Sequence, residues 1–139
     1  MFTYNDGGRE AEGFKGKTGD CVTRAIAIAT GKPYREVYCA LNTISAMHER
    51  QKRRGKSSAR TGVFKTTQHR YMASIGWKWT PTMSIGSGCK VHLRADELPK
   101  GRIVVSLSRH AAAVIDGVLH DTYDCSREGT RCVYGYWSA

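Results

Sequence analysis

The sequence predicts a single α+β domain in which helices come first and a small antiparallel sheet follows. Three observations carry this prediction. From Val22 to Ile75 apolar residues recur at helical spacing, with glycines where the segments end. From Trp77 onward the period becomes that of strands. Asp116-Gly117, set between two apolar runs, is a strong signal for a two-residue hairpin turn.

Taken in order, residues 1–17 read as an irregular, glycine-rich segment. The first helix begins around Thr18-Gly19-Asp20-Cys21, where either Thr18 or Asp20 suits the N-cap because its side chain accepts from a free backbone N–H. Val22 to Thr30 is apolar on nearly every side, the mark of a buried helix, and Gly31 supplies the stop. Pro33 suits the first turn of a second helix, where Tyr34, Val37, Tyr38, Leu41 and Ile44 form an apolar stripe. That helix runs into a basic loop over 50–62, expected to be solvated. Phe64, Tyr71, Met72 and Ile75 predict a third helix closed by Gly76. Trp77 and Trp79 alternate with Lys78 and Thr80 in a strand that Pro81 ends. Val91 and Leu93 suggest a short edge strand, Leu98 to Gly101 a turn, and Ile103 to Leu107 a strong strand. His110–Ile115 and Val118–Tyr123 form the hairpin, and Cys132–Trp137 a last strand.

The bulk properties exclude several classes. The 139 residues suffice for one core without cross-links, and no stretch approaches the roughly 20 apolar residues that span a bilayer. The polar N-terminus has no apolar segment of signal-peptide kind, so a cytoplasmic location is expected, with no membrane partner. Five scattered cysteines (Cys21, Cys39, Cys89, Cys125, Cys132) fit that compartment as reduced thiols, with Cys125–Cys132 as the disulfide their spacing allows. Neither their spacing nor that of the histidines suggests a zinc site. The net charge of +10 favours acidic partners, but no nucleic-acid recognition motif accompanies it.

The residues able to carry chemistry converge on one constellation. Cys21 sits in the first turn of a buried helix, where the dipole and free N–H groups favour a thiolate, although Asp20 beside it opposes this. A thiolate nucleophile needs an imidazole. If Asp116-Gly117 is a two-residue turn, Ile115 pairs with Val118, Ala112 lies opposite Asp121, and His110 opposite Tyr123. One face then carries His110, Ala112, Val114, Leu119, Asp121 and Tyr123, with Asp121 on the diagonal from His110. His120 and Asp124 point the other way. The small residues Ala111 to Ala113 leave room for another element to pack over the strand. His48 and His69 fall on solvated helix surfaces.

Gly19–Gly31, with His110–Gly117 and His120–Tyr123, resembles small papain-like cysteine peptidases, closest in look to the C39-like group and short proteins encoded by bacteriophages and prophages. That resemblance implies a papain-like fold, with the nucleophilic Cys opening the central helix, the His beginning a strand, and an Asp or Asn on the next strand orienting it. Cys21, His110 and Asp121 match those positions in that order, and no cofactor is implied. Papain-like enzymes usually carry a Gln a few residues before the Cys as an oxyanion donor. Here Lys15–Asp20 contains neither Gln nor Asn, which leaves the Cys21 backbone N–H and the upstream amide of Asn5. Trp77, Trp79 and Tyr123 are candidates for lining a substrate pocket. The expected activity is hydrolysis of a peptide, isopeptide or other amide bond through an acyl-enzyme, on a protein or peptide substrate whose acidity suits the charge. The alternative is a papain-fold binding module that acts on a host protein or nucleic acid without turnover.

Overall fold

The computed structural model describes residues 2–14, 19–49, 56–84 and 86–139. Its elements are β1 (Phe2–Tyr4), α1 (Cys21–Thr30), α2 (Tyr34–His48), α3 (Lys65–Ser74), β2 (Lys78–Pro81), β3 (Arg102–Leu107), β4 (His110–Ile115), β5 (Val118–Asp121) and β6 (Gly135–Ser138). Thr18, one of the two proposed caps, and residues 50–55 of the basic loop lie outside the described residues.

The three helices form where the apolar periodicity placed them. Every residue of α1 from Val22 to Ala29 is buried, and Gly31 ends the helix in the left-handed conformation at φ 75°. Asp20 occupies the N-cap position, but its side chain makes no capping bond, because the carboxylate is spent on partners described below. Pro33 precedes α2, whose buried residues are Tyr34, Val37, Leu41 and Ser45. The buried stripe of α3 is Thr67, Gln68, Tyr71 and Met72, so half of it is polar.

The sheet has six strands in the order β1-β5-β4-β3-β6-β2. It is mixed, which corrects the expectation of an antiparallel sheet behind an irregular N-terminus: β1 pairs in parallel with β5, Phe2 opposite Leu119 and Tyr4 opposite Asp121. Three residues are too few to show a period in the sequence, and the partner that makes them a strand is remote. The hairpin register is as expected for Ile115↔Val118, Val114↔Leu119 and Ala113↔His120, with Asp116 and Gly117 at φ 49° and 81°. Pairing stops there, short of Tyr123. The Asp121 carboxylate accepts the following Thr122 N–H at 2.7 Å, a local bond that competes with the ladder. At the other end of the sheet β6 runs between β3 and β2, where a Cβ on Gly135 would lie 2.3 Å from the Trp79 ring.

The two sheet faces carry two cores. Val104, Ala111, Ala113 and Trp137 face the helices and pack with Ala25, Ile26 and Ala29 of α1. The alanines of β4 let α1 settle directly over that strand, as their small size suggested. On the far face Ile103, Val105, Ala112, Val114 and Leu119 are covered by Leu93, Leu98, Cys125 and Val133 from the long connections.

Three further expectations need correction. Val91 and Leu93 form no strand; the segment makes an isolated bridge between His92 and Cys132. That bridge brings Cys89 to Cys132, and the two form a disulfide with Cα atoms 5.8 Å apart, whereas Cys125 is free and buried. Neither the pairing with Cys125 nor five reduced thiols holds. The described end of the basic loop is also docked: Ser57 and Ala59 are buried, Thr23 Oγ1 donates to the Ala59 carbonyl at 2.7 Å, and the Gly19 N–H donates to the Arg60 carbonyl at 2.8 Å.

Candidate functional site

Cys21 is the first residue of α1, where the N–H groups of the opening turn lack intrahelical partners and the helix dipole is positive. His110 is the first residue of β4 and Asp121 the last of β5. His110 Nε2 lies 2.7 Å from Asp121 Oδ2, with the side chains only 8% and 3% exposed. The ring also hydrogen-bonds the Cys21 thiol. With Nε2 held by Asp121, Nδ1 is the nitrogen left for the sulfur.

The three residues do not meet on a sheet face. By alternation His110 and Asp121 belong to the side of Ala112, Val114 and Leu119, while α1 covers the side of Ala111 and Ala113. They reach Cys21 because each ends a strand where the helix begins.

Electrostatics favour a charged pair. Burial pushes the Cys21 thiol up, but the His110 hydrogen bond and positive charge, the Ala111 N–H and the Arg24 guanidinium outweigh it, so the thiol lies below its ordinary 9.0. Burial pulls His110 down, yet bonds to Asp121, Cys125 and Cys21 and the thiolate charge raise it from 6.5 to about 11. Burial raises Asp121, and this is outweighed by the His110 and Thr122 bonds and the charges of His110 and Arg24. The resting state is thiolate and imidazolium.

The expected opposition from Asp20 is absent because its charge is matched. Asp20 is 1% exposed; it pairs with Arg24 one turn along α1, accepts from the Tyr34 hydroxyl at 2.6 Å, and lies 3.6 Å from Arg9 Nε. Arg24 also reaches Asp121 Oδ1 at 3.1 Å, so one buried guanidinium links the N-cap to the residue that holds the imidazole. Sequence reasoning missed Arg24. Its signal was an i,i+4 Asp–Arg pair whose cation stands alone in an apolar helix.

Cys21 and His110 border a cleft of about 510 Å³ whose walls include Gly19, Thr61, Gly62, Val63, Gln68 and Tyr123. The Tyr123 ring centroid is 5.5 Å from that of His110, so Tyr123 stands where a pocket residue was expected. Trp77 and Trp79 do not. They pack on the helix-side core, with Trp79 against Trp137 at 5.3 Å and His69 at 5.6 Å. Their alternation reflected a strand covering core. Asn5 is also elsewhere: its Nδ2 lies 3.3 Å from His120 Nδ1 and its Oδ1 accepts from Gly7 N. His48 is exposed, and His92 bonds Glu97. A second cavity, of about 340 Å³ on the far face, has no Cys or His in its lining.

Cys125 was also unforeseen as a site neighbour. Its thiol bonds His110, and one ligand atom each from His110, Asp121 and Cys125 falls within 4.8 Å of the others. These are the residues a metal ion would use among those described. The fit is poor: ligands of a tetrahedral zinc at about 2.0–2.1 Å stand about 3.3 Å apart, wider than the His110–Asp121 hydrogen bond. No family model, curated protein or solved structure matches this chain.

Proposed function

We propose that this protein is a cysteine-nucleophile hydrolase of papain-like type. The observation that carries the reading is the Cys21–His110–Asp121 chain at a helix N-terminus, bordering an open cleft. Cys21 Sγ attacks a carbonyl carbon, and His110 gives its proton to the departing amine as the C–N bond breaks. Water, losing a proton to His110, then cleaves the thioester and releases the acid. Asp121 holds the imidazole in the required tautomer and direction.

Charge around the cleft supports an acidic substrate. Lys65 and Arg109 line it, and an adjoining cavity that shares Arg109, His110 and Tyr123 adds Arg127 and Arg131. The test is digestion of a complex peptide mixture followed by mass spectrometry of new termini. Termini that appear with wild type and not with Cys21→Ala, enriched in acidic residues near the cut, are the expected result. No Cys21-dependent cleavage would overturn hydrolysis. The same basic cleft would then serve the alternative, a binding module, seen as capture of acidic peptides that survives Cys21→Ala.

A further inference from the structure

An acyl-transfer site needs donors where the carbonyl oxygen becomes negative, and one such donor is worth about 100–1000-fold in rate. The first is the Cys21 N–H, which has no partner within α1. The stretch before Cys21 offers no amide side chain, and Asn5 is committed to His120 and Gly7.

Gln68 fills the need from another direction. It lies in the first turn of α3, is 7% exposed, and lines the same cleft as Cys21 and His110. Its backbone N–H donates to the Phe64 carbonyl, but its side-chain amide makes no hydrogen bond to any described residue. The adjoining Thr67 shows what a structural polar residue does here: its hydroxyl is tied to Glu49. A buried amide without a partner costs about 1–3 kcal/mol, so its place beside a nucleophile calls for an explanation. Gly19 completes the wall. A Cβ there would lie 2.9 Å from the Thr61 carbonyl oxygen, so only glycine lets the 61–63 segment close on the start of α1.

We infer that the Gln68 side-chain amide and the Cys21 backbone N–H together form the oxyanion hole, making Gln68 a catalytic residue supplied from downstream of the nucleophile. The inference rests on the hydrolase reading above. The amide N–H donates to the oxyanion as the thiolate adds, and releases it when the carbonyl re-forms.

Two reactions of Cys21 separate this role from a structural one. With p-nitrophenyl acetate, Sγ adds to the carbonyl, an oxyanion forms, the C–O bond to the aryl group breaks, and nitrophenolate leaves with the electron pair. With iodoacetamide, Sγ displaces iodide at a saturated carbon and no oxyanion forms. Gln68→Met, which keeps the bulk and removes the donor, is expected to slow the nitrophenolate burst and Cys21 acetylation by about 100-fold. Alkylation of Cys21 should stay within about twofold of wild type, and Gln68→Ala serves as a second variant, both checked by thermal melting. Unchanged acetylation would overturn the role. An equal fall in both reactions would also overturn it, since Gln68 would then only position Cys21. Wild-type Cys21 that alkylates readily near neutral pH but never acetylates would overturn the hydrolase reading itself.

Discussion

His110 is what holds the Cys21 thiol low, and its removal has a calculable effect. In His110→Ala, burial still pushes the thiol up, opposed only by the Ala111 N–H and the Arg24 charge. The variant thiol therefore returns at least to the ordinary range. A thiol at about 8.5 is about 0.3% ionised at pH 6, so the thiolate fraction falls at most about 300-fold. The remaining thiolate is the better nucleophile: with a Brønsted slope of about 0.45, a shift of that size returns about 13-fold. The net loss at pH 6 is about 20-fold. By pH 8 about a quarter of the variant thiol is ionised, and its greater nucleophilicity makes it at least as fast as wild type. Iodoacetamide labelling from pH 6 to 8, with mass mapping of the Cys21 peptide and exposed Cys39 as internal standard, measures this. Wild-type Cys21 should label almost independently of pH while Cys39 climbs tenfold per unit. Parallel slopes for Cys21 and Cys39 in wild type would refute the thiolate–imidazolium pair, as would a His110→Ala profile identical to wild type.

Two further outcomes follow from the same network. His110, raised from 6.5 to about 11, contributes stability that is full below pH 6.5 and is lost as pH rises towards 11; Cys21, lowered from 9.0, contributes stability that is full above pH 9 and is lost as pH falls. Between about 6.5 and 9 the two slopes cancel, since folded and unfolded states each hold one proton on the pair. Urea melts should therefore show a plateau that falls on both sides in wild type and flattens in the Cys21→Ala, His110→Ala double variant; identical pH curves would refute the pair's contribution. Asp121→Ala removes the His110 bond, the Arg24 ion pair and the Thr122 bond together, so it should cost about 3–5 kcal/mol, roughly 10–15 °C in melting temperature. Asp121→Asn keeps an oxygen for one of these partners and should lose less of both stability and Cys21 reactivity; an Asp121→Ala protein melting with wild type would show that the carboxylate does not hold Arg24.

What the sequence made legible is what local chemistry decides. Asp116-Gly117 can adopt positive φ at both positions, so the hairpin register, and with it the common side of His110 and Asp121, followed from two residues. Cys21 was legible because an apolar helix begins at it and Gly31 ends it. What stayed hidden depends on partners remote in sequence. Phe2–Tyr4 becomes a strand only beside β5, and Cys89 meets Cys132 only through the His92 bridge. Gln68 acquires a role only when α3 borders the cleft. Arg24 shows the limit most clearly. As a letter it interrupts an apolar helix, and as a buried cation it would be costly alone. Placed between Asp20 and Asp121 it holds two carboxylates whose other duties are to start the helix of the nucleophile and to orient its imidazole. Position at the ends of elements identified the reacting groups, and the buried charge between those ends holds them in one site.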